Sequence, residues 1–129
     1  MTLRVKLAVT CILSALVVIT STGLRAQDKA TTTVKGYVLD SACAFVKNLK
    51  KPISPDCAVA CAKAGSPLAI LADDGKLYLP ISNTMPATGQ NEQLLKFAGQ
   101  RVTATGKVYE KGGSHAIVID KIEAASSGK

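Results

Sequence analysis

Apolar residues run almost unbroken from Leu7 to Ile19, whereas from Val34 onward they come only in short groups set among polar positions. The change of pattern separates a leader from a folded domain. Val34-Lys35-Gly36-Tyr37-Val38-Leu39 predicts a strand, being β-branched and aromatic with a period of two. Gly36 within it marks a bend or bulge where the sheet curls. After Asp40 the alternation breaks into a polar insertion, Ser41 to Ser54, closing on Pro52-Ile53-Ser54-Pro55. A short helix follows: Ser54 suits the N-cap, Pro55 the first helical position and Asp56 the positive helix end. It is alanine-rich through Ala64 and is stopped by Gly65 and Pro67. Leu68–Leu71 and Lys76–Leu79 predict two strands joined by Asp73-Asp74-Gly75, a strong hairpin signal. Beyond the loop from Pro80 to Gln90, a second helix is expected from Asn91, as its cap, to Ala98, with Gly99 as its stop. Arg101 to Tyr109 alternates, with Val102, Ala104, Gly106 and Val108 facing inward. After the turn Glu110-Lys111-Gly112-Gly113, Ser114 to Ile122 predicts the last strand, and Ile117-Val118-Ile119 predicts cover on both faces.

Five short strands, with a helix in the first loop and another between strands 3 and 4, give a mainly β fold in the order of an OB-fold-like barrel. The glycines at 36 and 106 suit strands coiled tightly enough to close so small a barrel. An SH3-like barrel or a small α+β sandwich accommodates the same pattern. The boundaries are a leader at 1–26, a polar lead-in at 27–33, the barrel at 34–122 and a frayed tail at 123–129.

The leader reads as a cleavable signal peptide. Arg4 and Lys6 precede the apolar run, and Ser21, Thr22, Gly23 and Ala26 supply small residues for cleavage after Ala26, with the position after Gly23 as an alternative. The rival is a permanent anchor: Leu7 to Leu24 is an uncharged run of 18 residues, at the lower edge for spanning a bilayer. Cys11 lies too deep in that run to become a lipid-modified N-terminus. Export to the periplasm or the medium follows, and membrane contact is expected only through an uncleaved leader. Processing after Ala26 leaves 13 basic and 9 acidic residues, so the formal charge of +7 falls to +4. The remaining lysines read as a solubilising surface, with weak attraction to anionic lipid or cell-wall polymer as the alternative, and an exported domain has little occasion to meet nucleic acid. Aromatic residues make up 4% of the chain, with no Trp. Tyr37, Tyr78, Tyr109, Phe45 and Phe97 are a thin supply for a stacking platform, and at least Phe97 is expected to pack the second helix.

Asp40-Ser41-Ala42-Cys43, Cys57-Ala58-Val59-Ala60-Cys61 running into Gly65, Lys76-Leu77-Tyr78-Leu79 and Phe97 to Val108 resemble small exported bacterial OB-fold-like proteins with a three-cysteine insertion. The resemblance spans Val34 to Ile122 and implies fold and export. It carries no catalytic residues with it.

Loss of Cys11 with the leader leaves Cys43, Cys57 and Cys61, and an oxidising compartment makes pairing the first expectation. Cys57 and Cys61 share a helix face, but both Cβ atoms point the same way, so a bond between them is strained. Cys43 therefore pairs with Cys61, the nearer to the second strand, or alternatively with Cys57. Either bond closes a loop of the size whose constraint contributes about 3 kcal/mol. The odd thiol raises a metal alternative. If the first loop and the strand 4–5 turn converge, Cys43, Cys57, Cys61 and His115 supply ligands for Zn(II), or the thiolates alone hold Cu(I). A thiol-redox role for Cys57 in the first helical turn is the third reading. No nucleophile elbow, phosphate loop or zinc-protease motif is present, and one histidine offers little for acid–base catalysis. The expectation is a non-enzymatic exported domain, stapled by one disulfide, that binds a small ligand or an envelope protein; a metal or thiol-redox protein is the alternative.

Overall fold

A computed structural model describes residues 30–126. The leader, its cleavage site, Cys11 and the last three residues lie outside the described residues. The chain forms β1 (Thr31–Asp40), α1 (Ser41–Val46), α2 (Pro55–Lys63), β2 (Leu68–Ala72), β3 (Leu77–Pro80), α3 (Asn91–Leu95), β4 (Arg101–Lys111) and β5 (Ser114–Ala124). The strands close into a barrel in the order β1-β2-β3-β5-β4, with β4 returning to β1. All neighbours are antiparallel except β3 and β5. This is the OB-fold-like five-stranded barrel expected from the strand order.

Register decides where the loops sit. Asp40 pairs with Leu68 at the end of β1, so the whole β1–β2 insertion lies at that end of the barrel. Thr31 pairs with Lys107 at the other end, towards which the β4–β5 turn also projects. The strands outrun their expected limits because backbone pairing continues past the apolar residues. Thr31–Thr33, expected in the lead-in, pair with Lys107–Thr105, and Glu123 and Ala124, expected in the tail, pair with Thr103 and Val102.

Alternate inward residues fill the barrel: Val34, Val38, Leu68, Ile70, Tyr78, Val102, Ala104 and Ile117 are buried, and Leu94 of α3 joins them with no exposed surface. In β5 only Ile117 is fully buried, while Val118 and Ile119 are half-buried. Gly36 and Gly106 serve the tight coiling. A Cβ at Gly36 would overlap the Leu71 carbonyl, and one at Gly106 that of Val118. The β4–β5 register also shifts between Thr105 and Gly106, a bulge that sharpens the local twist.

Asn91 departs from its expected role. It is the first residue of α3 rather than its cap, and Gln90 caps without a side-chain bond. The Asn91 carboxamide instead accepts from Leu68 N at 2.8 Å and donates to Ser66 O at 2.8 Å, tying α3 to the start of β2. Asn91→Ala leaves the Leu68 N–H without this partner. A loss of about 1–3 kcal/mol is expected, read as a drop in Tm of at least about 4 °C by thermal unfolding.

The insertion contains two helices where one was expected. Asp40 ends β1 and also caps α1, its carboxylate accepting from Cys43 N at 2.9 Å. Asn48, at φ 47°, then turns the chain out of the helix.

Candidate metal centre

Two short helices bring three thiols together. Cys43 stands in the first turn of α1, placed there by the Asp40 cap. Ser54 caps α2 through Cys57 N at 3.1 Å, with Pro55 at the helix start and Asp56 in the first turn, as the sequence predicts. Ala58 and Ala62 bury one side of α2 in the core. Cys57 and Cys61, one helical turn apart, are left half-buried together with Cys43. Small residues matter here, because alanines let α2 approach the barrel closely.

The Sγ atoms of Cys43, Cys57 and Cys61 all lie within 4.8 Å of one another. No pair among them is at bonding distance, and all three are free thiols. Three cysteines so close can bind a metal ion. On one side Cys43 and Cys57 back onto Leu39, Leu49, Pro52 and Ile53, around a void of about 10 Å³. That is too small for more than a single water. On the other side Cys43 and Cys61 line an open, largely apolar cleft of about 320 Å³ with Ala42, Val46 and Ala64. The insertion's own residues thus close around Cys43 and Cys57, and the cleft leaves Cys43 and Cys61 open to solvent.

Asp40 is the polar hub of the site and is 2% exposed. Its carboxylate accepts from Cys43 N, from Ser66 Oγ at 3.2 Å and from the thiols of Cys43 and Cys61. Burial alone would raise its pKa, but these donors outweigh it and hold the carboxyl below its ordinary value. The thiols respond in the opposite sense. The hydrogen bond to Asp40, then desolvation and the carboxylate charge, push Cys43 up to about 11. Desolvation first, and the Asp40 charge next, raise Cys61 as well. Without a metal, these two thiols are therefore protonated at neutral pH.

Asp40→Asn keeps a capping oxygen for Cys43 N while removing the charge. The pH midpoint for alkylation of Cys43 is expected to fall from about 11 towards the ordinary thiol value of 9.0. Mass-spectrometric alkylation profiles check this, and an unmoved midpoint would contradict the role given to Asp40.

His115 does not join the cluster, which corrects the four-ligand expectation. The parallel register sets it opposite Tyr78, with ring centroids 5.4 Å apart, and its Nδ1 lies 3.9 Å from Glu110 Oε2. The insertion hangs from the end of β1, whereas β5 starts at the opposite barrel end, so the two loops diverge. Asp40 and Ser66 are the site residues that sequence reasoning missed. An Asp three residues before Cys43, at the close of a strand, is a readable cap signal. Ser66 carries none, since its bond to Asp40 spans 26 positions.

The aromatic residues form no platform beside the site. Tyr78 is buried, Phe97 packs against the core and Tyr37 sits under Arg101 at 5.9 Å. Among the described residues no helix is long and apolar enough to cross a membrane. Comparison with protein-family models, curated proteins and solved structures found no match to this chain.

Proposed function

We propose that this protein is an exported, non-enzymatic binding domain whose ligand is a soft metal ion, Cu(I), held by the thiolates of Cys43, Cys57 and Cys61. The observation that carries the reading is the approach of all three Sγ atoms to within 4.8 Å of one another. Three sulfurs each about 2.3 Å from a shared ion stand about 4 Å apart, so only a small contraction is required. Thiolates alone suit Cu(I), whereas Zn(II) prefers four ligands and would need one from outside this cluster. The leader and the resemblance to exported OB-fold-like proteins support an envelope location.

Each thiol must lose its proton to bind the ion. Because Cys43 titrates near 11 and Cys61 is also raised, binding releases protons and tightens as pH rises. Affinity is expected to increase about tenfold per pH unit for each thiol still protonated in the metal-free state. Anaerobic competition against a chromophoric Cu(I) chelator at pH 6, 7 and 8 measures this. One ion taken per chain, with affinity rising over that range, supports the proposal; no withdrawal of copper from the chelator rejects it.

A disulfide staple from Cys43 to Cys61, or to Cys57, is the second reading and rests on the same proximity. It would consume two of the three ligands, so one chain cannot hold the staple and the three-sulfur site together.

A further inference from the structure

Beyond the thiols, the insertion carries an unbalanced surface. From Ser41 to Pro55 there are three lysines, Lys47, Lys50 and Lys51, and no acidic residue. Elsewhere in the chain from Gln27 onward, 10 basic residues face 9 acidic ones, so most of the domain's net positive charge resides in this one segment. The three lysines are exposed and make no ion pair among the described residues. Beside them, Phe45 is 73% exposed, Val46 84% and Ile53 56%, all within nine residues of chain.

Leaving such side chains largely in water forgoes the transfer energy of the apolar area that stays exposed. Scattered exposed apolar residues need no explanation, but an adjacent aromatic and β-branched pair flanked by unpaired lysines is a particular combination. Lys50 shares a cleft with Asp73, whose carboxylate is already held by Arg101, so a protein partner would have to answer the three lysines with acidic groups placed to match. A bilayer answers them without such placement. Its interface takes up apolar tips to a shallow depth, while lysine stems lie along it and their ammonium groups reach anionic headgroups.

We infer that the tip of α1 and the segment after it form a docking surface for an anionic phospholipid bilayer, with Phe45, Val46 and Ile53 entering the interface and Lys47, Lys50 and Lys51 meeting the headgroups. Lys47 and Val46 also line the cleft over Cys43 and Cys61, so docking sets the thiol cluster close to the lipid surface. The inference stands apart from the metal proposal, since no thiol takes part in it.

The test is co-sedimentation of the metal-free protein starting at Gln27, which keeps every strand and helix of the closed barrel and its whole core. Vesicles of phosphatidylcholine with 30 mol % phosphatidylglycerol, on the order of a physiological anionic fraction, are compared with vesicles of pure phosphatidylcholine. Binding is expected only to the anionic vesicles and should weaken between low and high salt. Each lysine near the surface is worth about fivefold in partitioning, so the triple Lys→Gln variant at 47, 50 and 51 should bind about 100-fold more weakly. Phe45→Ser with Val46→Ser should lose at least about tenfold. Met85→Ser, at an apolar side chain on a different loop and 87% exposed, should lose nothing. Equal binding to both vesicle types, losses as large for Met85→Ser, or no binding to anionic vesicles would overturn the inference, the last leaving the patch as a face for a protein partner.

Discussion

Replacing any one of Cys43, Cys57 or Cys61 by serine is expected to weaken Cu(I) binding by about 100-fold or more, with the barrel left folded. The size follows from sharing the roughly 10–16 kcal/mol of a four-ligand thiolate or imidazole site over its ligands, which gives about 3 kcal/mol for each. All three substitutions should act alike, because the sulfurs form one mutually close group. A disulfide staple predicts an unequal pattern: two of the three would destabilise the fold by about 3 kcal/mol and the third would be silent. Far-ultraviolet circular dichroism through thermal unfolding, measured beside the copper competition, separates the two. All three cysteines are half-buried and outside the barrel's buried core, so the fold has little to lose from serine at these positions.

The largest effect on stability is expected from Gly106→Ala and Gly36→Ala. A methyl group at either position overlaps a neighbouring strand's carbonyl, backbone that cannot turn aside as a flexible side chain can. Relief requires separating β4 from β5 or β1 from β2, with loss of ladder hydrogen bonds. A cost at or above the upper end of ordinary overpacking, about 3 kcal/mol, is expected, and for a domain of this size that lowers Tm by at least about 12 °C. Alanine tolerated at both positions without a change in Tm would show that the barrel is not closed as tightly as described.

The barrel was legible because its cues are local. Alternation in Arg101–Tyr109, Asp73-Asp74-Gly75 between apolar runs, and the Ser54-Pro55-Asp56 helix start each act within a few residues, and the structure honours all three. Strands reach beyond their expected limits where pairing extends into polar residues, as at Thr31–Thr33 before Val34 and at Glu123 and Ala124 after Ile122, since a ladder needs backbone groups rather than apolar side chains. The site was legible only in part. Helical spacing placed Cys57 and Cys61 on one face, and the adjacency of β1's end to β2's start brought Cys43 near them. The Asp40 cap that orients Cys43 is hard to read from sequence because α1 is a single short helix inside a stretch that reads as polar loop. His115 was misplaced for a different reason. Which barrel end a loop occupies depends on strand direction, and the first and fourth connections leave from opposite ends.

A dynamic consequence follows from the walls of the site. Leu49, Pro52 and Ile53 line one side of Cys43 and Cys57, while Cys43 and Cys61 are open to the apolar cleft beside Val46. Occupancy by an ion would shield all three sulfurs together.

Differential alkylation of the reduced chain from Gln27, with and without one equivalent of Cu(I) under anaerobic conditions, tests the central proposal most directly. The three-thiolate site predicts that Cys43, Cys57 and Cys61 all react in the metal-free protein and are all protected when one copper is bound per chain, as counted by native mass spectrometry. Unchanged alkylation of any one of the three in the presence of copper, or failure of the reduced chain to retain an ion, would contradict it.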